Sequence, residues 1–281
     1  MKLPAPPQPS SALGRPLDPR YPSNLIAVFG SGAAVLFFLI YNLMADDPLP
    51  TSAISAGFTV FLAWAISREL DPDHNASAYV AMLFAFVSVL FVTASPLFGF
   101  GVLIGTRLAT GTVGLRAGRL DLLFVVGFGA LLGSGVNSLA AVAALVIGIF
   151  VIDSYSRRSL VTAVATVVVA AAVFAIRSPA IVWETPGAWD LALGLVVMVS
   201  LGLSIPARQP ATLTDVRGRE ILAKRVTTSR FLVAVCIAAA FVIAGAFGLQ
   251  AAFAVAGVSL VATAIVNVAA RMVPGSRTVE A

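Results

Sequence analysis

Apolar residues run along this chain in long blocks, and short polar segments separate the blocks. Residues 161–176 and 231–268 contain no Asp, Glu, Lys or Arg. Inside a bilayer every backbone N–H and C=O needs an internal partner, so a crossing segment is a helix or a strand of a closed barrel. Barrel strands alternate apolar and polar residues over about ten positions, whereas these blocks are apolar on all sides. The pattern therefore predicts an all-α fold, a polytopic bundle of transmembrane helices.

The blocks, together with the prolines and glycines between them, predict about ten spanning helices. A proline lacks the backbone donor that a helix needs, and a glycine favours a turn. The predicted spans are 24–44, 51–67, 76–93, 96–113, 119–134, 136–152, 159–176, 190–206, 230–247 and 250–268. A full crossing takes about 20 residues, and the three spans between 96 and 152 are short. Eight spans, with one hairpin that does not fully cross, remain the alternative.

The composition agrees with lipid as the solvent of this chain. Hydrophobic residues make up 59% of it and charged residues 11%, whereas a soluble domain carries about 25% charged residues. The single cysteine, Cys236, lies within an apolar block, which excludes a disulfide within the chain and a CxxC metal or redox site. We interpret Cys236 as a packing residue.

The basic residues predict an orientation for the helices. With the N-terminus inside, all of the 18 Lys and Arg residues except Arg177 fall in cytoplasmic segments. This asymmetry is typical of membrane proteins, whose cytoplasmic loops carry an excess of positive charge. It predicts that both termini are cytoplasmic. Frequent Ala and Val and the preference for Arg over Lys point to the plasma (inner) membrane of a bacterium.

Three regions follow from this layout. They are a mobile, Pro-rich cytoplasmic tail at 1–22, a transmembrane domain at 23–269 that includes a cytoplasmic loop at 206–229, and a cytoplasmic C-terminal tail at 270–281. The lipid bilayer is the expected partner, and the sequence leaves open a homo-oligomer or a larger membrane complex. The net charge of +5 comes from short loops between apolar blocks, so we expect no nucleic-acid partner.

The 206–229 loop is expected to lie on the membrane surface. Its basic residues, which would meet anionic lipid headgroups, are Arg217, Arg219, Lys224 and Arg225. Each basic residue near such a surface contributes about 1 kcal/mol. The segment 219–226 is predicted to form a short amphipathic helix there.

The most polar short segment contains the only histidine of the chain. Asp71, Asp73 and His74 offer carboxylate and imidazole ligands to a divalent ion. An Mg²⁺ ion held there could bind a lipid diphosphate or a nucleotide. The alternative is a proline turn in which Asn75 or Ser77 caps the next helix and the charged side chains face water.

Three charged residues near helix ends are candidate substrate-binding residues: Arg107, Asp121 and Asp153. Arg107 lies about 16 Å along its helix from Pro96 at 1.5 Å per residue, which is near the middle of the hydrocarbon. A guanidinium at that depth costs about 2.5–3.5 kcal/mol, so it could clamp an anionic substrate or pair with Asp121. Snorkelling to the surface is the alternative. Asp121 complements its helix dipole, and Asp153 is placed to pair with Arg157.

Glycines are dense between 99 and 135, and Gly101 and Gly105 have the spacing of a small-xxx-small motif. Such residues let two helix backbones approach closely in a membrane. We therefore predict close helix packing at this point, with a flexible transport hinge as the alternative.

Three classes of function are compatible with these features. The leading hypothesis is a transporter-like protein for a small solute or lipid, with its pathway near residues 96–152 and Arg107 beside it. The first alternative is an enzyme at the cytoplasmic face that acts on a lipid-linked phosphate with a divalent metal such as Mg²⁺. The second is a scaffold subunit of a membrane complex. A Ser–His–Asp triad has no credible base here, so the sequence leans against an enzyme, and it specifies no other cofactor.

Overall fold

The apolar blocks fold into helices throughout the part of the chain that the structure describes. This computed structural model covers residues 11–15, 17–44, 50–152, 156–205, 207–215 and 217–272, with the backbone alone at 50 and 51. The helices are α1 (Pro22–Met44), α2 (Pro50–Leu70), α3 (Asn75–Ser88), α4 (Pro96–Thr110), α5 (Arg119–Leu132), α6 (Val136–Leu139), α7 (Val142–Ile152), α8 (Arg157–Arg177), α9 (Ala188–Ser204), α10 (Ala223–Ala252) and α11 (Val258–Met272). A π-helical turn, Phe253–Gly257, joins α10 to α11.

The all-α prediction is confirmed. Among the described residues, strand-like pairing is limited to two isolated bridges. Four helical stretches of this part are long and apolar enough to cross a membrane: Pro22–Met44, Ser52–Leu70, Arg157–Arg177 and Ala223–Met272. The fold is therefore compatible with a membrane protein. The count of ten spans and the cytoplasmic orientation stay predictions, and residues 1–10 and 273–281 of the predicted tails lie outside the described residues.

α2 lies at the centre of the bundle, and α1 and α8 lie at its periphery. α2 packs against α1, α3, α4 and α11, and its side chains Leu62, Ile66 and Leu70 are fully buried. α1 and α8 instead present large apolar side chains outward, such as Phe29 and Val168. Continuous apolar surface of this kind is typical of a protein that meets a membrane or another apolar partner.

The glycine motif of α4 packs as predicted. A Cβ atom added to Gly101 would lie 2.7 Å from the Cβ of Ala141, and one added to Gly105 would lie 2.4 Å from the carbonyl oxygen of Ala144. The backbones of α4 and α7 therefore touch, and only residues without a side chain fit between them. Close packing at these glycines is confirmed, and α4 and α7 are held closely against each other.

The chain doubles back within α10, at Gly245. This glycine has φ 60° and ψ −137°, a left-sided conformation that residues with a Cβ atom rarely adopt. A Cβ atom added to Gly248 would lie 2.1 Å from the carbonyl oxygen of Ala240. In a straight helix these residues would be about 12 Å apart along the axis, so the chain forms a helical hairpin. The backbone of Glu184 caps the turn by accepting a hydrogen bond from Ala246 N at 3.0 Å.

Polar side chains gather at one end of the bundle, which we call the polar end. The C-terminal ends of α2, α4 and α9 meet the N-terminal ends of α3, α5 and α10 there. Residues 11–15, which we call the strap, and residues 207–222, the 207–222 loop, cover these helix ends through hydrogen bonds.

Candidate functional site

A buried ion pair lies at the centre of the polar end. Glu69, in the last turn of α2, is 1% exposed, and one of its carboxylate oxygens accepts a hydrogen bond from Arg107 Nε at 3.1 Å. The other oxygen accepts from the hydroxyls of Thr110 at 3.1 Å and Thr112 at 2.6 Å. A buried carboxylate needs such partners because burial removes its hydration, and here α4 and the residues after it supply all of them.

Arg107, the leading substrate-binding candidate, has its hydrogen bonds within the protein. Besides Glu69, its Nη1 atom donates to the carbonyl oxygen of Leu13 in the strap at 2.8 Å. Its side chain is 15% exposed, and the predicted pair with Asp121 is not formed. Arg107 therefore joins α4 to α2 and to the strap.

Asp121 also holds the strap. Its carboxylate accepts from Ser11 Oγ at 2.5 Å, from Ala12 N at 3.3 Å and from Gly118 N at 2.8 Å. The bond to Gly118 completes a capping arrangement at the start of α5, where a carboxylate also complements the helix dipole. Residues 11–13, within the tail predicted to be mobile, are thus hydrogen-bonded to the bundle. Asp153 lies outside the described residues.

Asp73 is directed at the 207–222 loop. Its carboxylate accepts from the backbone N atoms of Ala211 at 3.0 Å and Thr212 at 2.9 Å, and from the Thr212 hydroxyl at 2.8 Å. A second tether joins Asp215 of the loop to Arg15 of the strap, with 2.9 Å between Oδ1 and Nη2. The loop is therefore fixed at both α3 and the strap.

The basic residues of this loop are mostly exposed. Arg217, Arg219 and Lys224 face outward, and Arg225 lies against Gly111. Their contact with lipid headgroups stays a prediction. The predicted amphipathic helix 219–226 is wrong: residues 219–222 are not helical, and α10 begins only at Ala223. The bridge between Leu213 and Glu220 competes with a helix for these backbone groups.

Asp71 pairs with His74 and is buried. Asp71 Oδ1 lies 2.9 Å from His74 Nδ1, with side-chain exposures of 5% and 38%. This hydrogen bond raises the pKa of the His74 imidazole above its ordinary value, while partial burial acts in the opposite direction. The expectation that both side chains face water is wrong for Asp71. Neither Asn75 nor Ser77 caps α3: the Ncap residue is His74, and Ser77 Oγ donates to the His74 carbonyl.

The three predicted metal ligands do not converge. Asp71 and His74 face each other, whereas the oxygens of Asp73 are bonded to the 207–222 loop. Within the described ranges, no three His, Cys, Asp or Glu side chains lie close enough to hold a metal ion. A divalent metal at these residues stays a prediction without geometric support.

Two helices carry matching polar stripes inside the bundle. On α2 the stripe contains Trp64, Ser67 and Asp71, which lie three and four positions apart and so share one helix face. On α11 it contains Ser259, Thr263 and Asn267, each four positions apart. All six residues are buried. We call these residues the polar seam.

A single hydrogen bond gives the register of the seam. Ser259 Oγ donates to the carbonyl oxygen of Ala63 at 3.0 Å, and both helices run toward the polar end. Parallel helices rise equally per residue, so the next turns bring Thr263 level with Ser67 and Asn267 level with Asp71. The two polar stripes therefore meet at Ser259, and from there they run toward the polar end in the same direction.

Several polar atoms of the seam have no hydrogen-bond partner among the described residues. They are Trp64 Nε1, Ser67 Oγ, Asp71 Oδ2 and Thr263 Oγ1, and the neighbouring Asn75 Oδ1 shares this property. Leaving a buried polar group unpaired costs about 1–3 kcal/mol, and native proteins contain few such groups. Because these unpaired atoms are concentrated along two helices, a molecule or ion bound at the seam would form the largest number of new hydrogen bonds or ligand contacts there.

Arg230 of α10 closes the polar end of the seam. It is 3% exposed, and its Nε and Nη2 atoms donate to the carbonyl oxygen of Leu70 at 2.9 and 2.8 Å. Nη1 donates to the carbonyl oxygen of Ser204 at the end of α9. Terminal carbonyls have no partner within their helix, so one guanidinium satisfies the ends of two helices.

The seam was not predicted from the sequence. The signal was present as two stripes of polar residues at spacings of three and four. In chains as apolar as this one, however, periodicity alone does not say which polar stripes face each other. Comparisons with protein-family models, curated proteins and solved structures found no match to this chain.

Proposed function

We propose that this protein is a membrane transporter for a small polar solute and that the polar seam forms its binding site. One observation carries the proposal: four buried polar atoms, three on α2 and the residue after it and one on α11, have no hydrogen-bond partner among the described residues. Ligand sites in helical bundles are built from side chains on facing helices. Polar and ionisable groups inside a membrane domain mark solute or ion pathways.

The seam is a better candidate pathway than the helices between 96 and 152. Contact between α4 and α7 at Gly105 is so close that a Cβ atom would meet backbone. A solute would have to separate two backbones there. At the seam it would instead satisfy Ser67 Oγ, Asp71 Oδ2 and Thr263 Oγ1, which have no partner among the described residues.

The orientation belongs to the same proposal. In the predicted layout all basic residues except Arg177 lie at or near the same ends of the spans, which favours the cytoplasmic side of a bacterial plasma membrane for that end. The enzyme alternative has less support, because the carboxylate of Asp73 is occupied by the 207–222 loop. The scaffold alternative has no particular feature of the described residues in its favour.

Transport is tested in proteoliposomes that contain the purified full-length protein. The probes are a panel of radiolabelled amino acids, monosaccharides and nucleosides, each measured with equal salt on both sides. We expect flux of at least one probe and its loss in Thr263→Val. Thr59→Val is the matched control, because the buried Thr59 hydroxyl already donates to Ser55 of its own helix at 2.8 Å.

Two results would contradict the proposal. One is the absence of flux for every probe, while turnover of a lipid-linked phosphate is detected at the protein surface. The other is flux that Thr263→Val and Thr59→Val reduce equally, since the seam would then have no special role.

A further inference from the structure

We infer that the polar-end half of the seam is a binding site for a monovalent cation, Na⁺, with Ser67, Asp71 and Thr263 as its side-chain ligands. This inference deepens the proposed function, in which the ion would be the co-transported partner of the solute. The role of the ion in transport rests on that proposed function, but binding of the ion can be measured without any solute.

Helix register places the ligand residues next to one another. Asp71 N donates to the carbonyl oxygen of Ser67 at 2.9 Å, so the helical path of α2 continues to Asp71, and these side chains are neighbours on one face. Thr263 lies level with Ser67 on the facing helix because Ser259 is bonded to Ala63. Ser67 and Thr263 are 0% exposed and Asp71 is 3% exposed. Asp71 Oδ2, Ser67 Oγ and Thr263 Oγ1 are all unpartnered within the described part of the chain.

The donor set is typical of a hard cation. It consists of oxygens alone, one carboxylate and two hydroxyls, and Asn75 Oδ1 adds an amide oxygen nearby. Oxygen ligands are those that ions such as Ca²⁺ and Mg²⁺ prefer over nitrogen or sulfur. The site lies at the C-terminal end of α2, which ends at Leu70. Its negative dipole end favours a cation.

The charge balance selects a monovalent ion over a divalent one. Asp71 is the single carboxylate of the site, because the oxygens of Asp73 are bonded to the 207–222 loop. The guanidinium of Arg230 is close enough to interact with the Asp71 charge, yet its donors go to the Leu70 and Ser204 carbonyls. Asp71 Oδ2 has no partner among the described residues, while Oδ1 is bonded to His74 Nδ1. The charge of Arg230 and the His74 partner both disfavour a divalent ion over a monovalent one.

Binding is tested on the purified full-length protein in detergent micelles. NaCl replaces choline chloride at constant ionic strength, and the midpoint of thermal unfolding, Tm, is followed by tryptophan fluorescence. A ligand that binds the folded state raises Tm in a saturable way. We expect this rise with Na⁺ and none with Mg²⁺. Equilibrium binding of ²²Na⁺ measures the same Kd without unfolding.

Variants locate the site. Asp71→Asn is expected to abolish the Na⁺-dependent rise in Tm. The control Asp190→Asn is expected to leave this rise intact, because the buried carboxylate of Asp190 is bonded to Gln250 and Gly187 at the other end of the bundle. Thr263→Val is expected to raise the Kd by about tenfold or more, a loss of at least roughly 1.4 kcal/mol. Thr59→Val leaves the Kd unchanged. If Asp71→Asn does not fold, ²²Na⁺ binding to Thr263→Val is compared with binding to Thr59→Val to test the site.

Three outcomes overturn the site. The first is a wild-type Tm that does not respond to Na⁺. The second is a Na⁺ response that both Asp71→Asn and Thr263→Val retain. The third is a Tm that rises with acidity but not with Na⁺, because that result indicates a proton or a water molecule in the seam. The proposed function fails separately. If ²²Na⁺ binds but no solute moves, transport is wrong and the site stands; if solute moves without Na⁺ binding, the site alone is wrong.

Discussion

Replacing Arg107 by Met tests whether the ion pair at the polar end stabilises the fold. The substitution keeps the length of the side chain and removes the donor that lies 3.1 Å from Glu69. Glu69, 1% exposed, would then stay buried with its hydroxyl partners alone. Removing one partner of a buried pair costs about 3–5 kcal/mol. Because two threonine hydroxyls still hold the carboxylate, we expect about 3 kcal/mol, the lower end of that range.

A double-mutant cycle separates the charge from the packing. Glu69→Gln keeps the shape and most hydrogen bonds but removes the buried charge, so Arg107→Met should cost far less in the Glu69→Gln background. We expect a coupling free energy of about 2 kcal/mol, within the range for residues in one network. The assay is reversible unfolding in mixed micelles, followed by circular dichroism.

The control is Arg20→Met. Arg20 forms an ion pair with Asp18 on the surface, where its side chain is 35% exposed, and it should not change stability measurably because solvent screens exposed pairs. Equal costs of Arg107→Met in the Glu69 and Glu69→Gln backgrounds would refute the reasoning. So would a cost no larger than that of Arg20→Met.

Three further substitutions test other parts of the fold. Gly245→Ala should prevent folding, because the added Cβ atom would lie 2.0 Å from the carbonyl oxygen of Glu184; the measurement is the yield of monodisperse protein in size-exclusion chromatography. The control Gly202→Ala, whose Cβ atom would have nothing within 4 Å, should fold normally. Equal yields of the two variants would contradict the role of Gly245 in the turn. His74→Gln should lower Tm most at acidic pH: the pKa of His74 is raised in the fold, so its stabilisation is fully present below about pH 6.5 and is lost as pH rises through the folded-state pKa. A difference in Tm that does not vary with pH would argue against this ion pair. Ser11→Ala removes the 2.5 Å bond to the α5 carboxylate and should speed amide hydrogen exchange in the strap, measured by mass spectrometry; unchanged exchange would mean that the strap is held elsewhere.

Apolar runs and the prolines and glycines between them predicted several helices closely, because both signals are local to the sequence. The predicted span 24–44 corresponds to Pro22–Met44, and 159–176 to Arg157–Arg177. The predicted break near Gly248 lies three residues from the observed turn at Gly245. The positions where helices begin and end depend on nearby prolines, glycines and polar residues, which can be identified in the sequence.

Contacts between distant helices could not be predicted in the same way. Arg107 pairs with Glu69, 38 residues earlier, and not with Asp121, which is nearer in sequence. Where all faces of a helix are apolar, the sequence has no periodic pattern that shows which face packs against which neighbouring helix. The same limit concealed that Asp71 is buried and does not face water.

The glycine turn at Gly245 also decides where the last arm of the helical hairpin ends. Ala223–Met272 forms a stretch of 50 residues, about 75 Å if it were one straight helix, more than twice the hydrocarbon thickness of roughly 30 Å. Because the chain reverses, its two arms bring Arg230 and Arg271 to the same end, where their charges interact. In the membrane orientation proposed above, both arms would enter the bilayer together as one hairpin, and a chain that failed to reverse would carry Arg271 to the opposite side. Under that proposal the position of Arg271 depends on a single residue without a side chain.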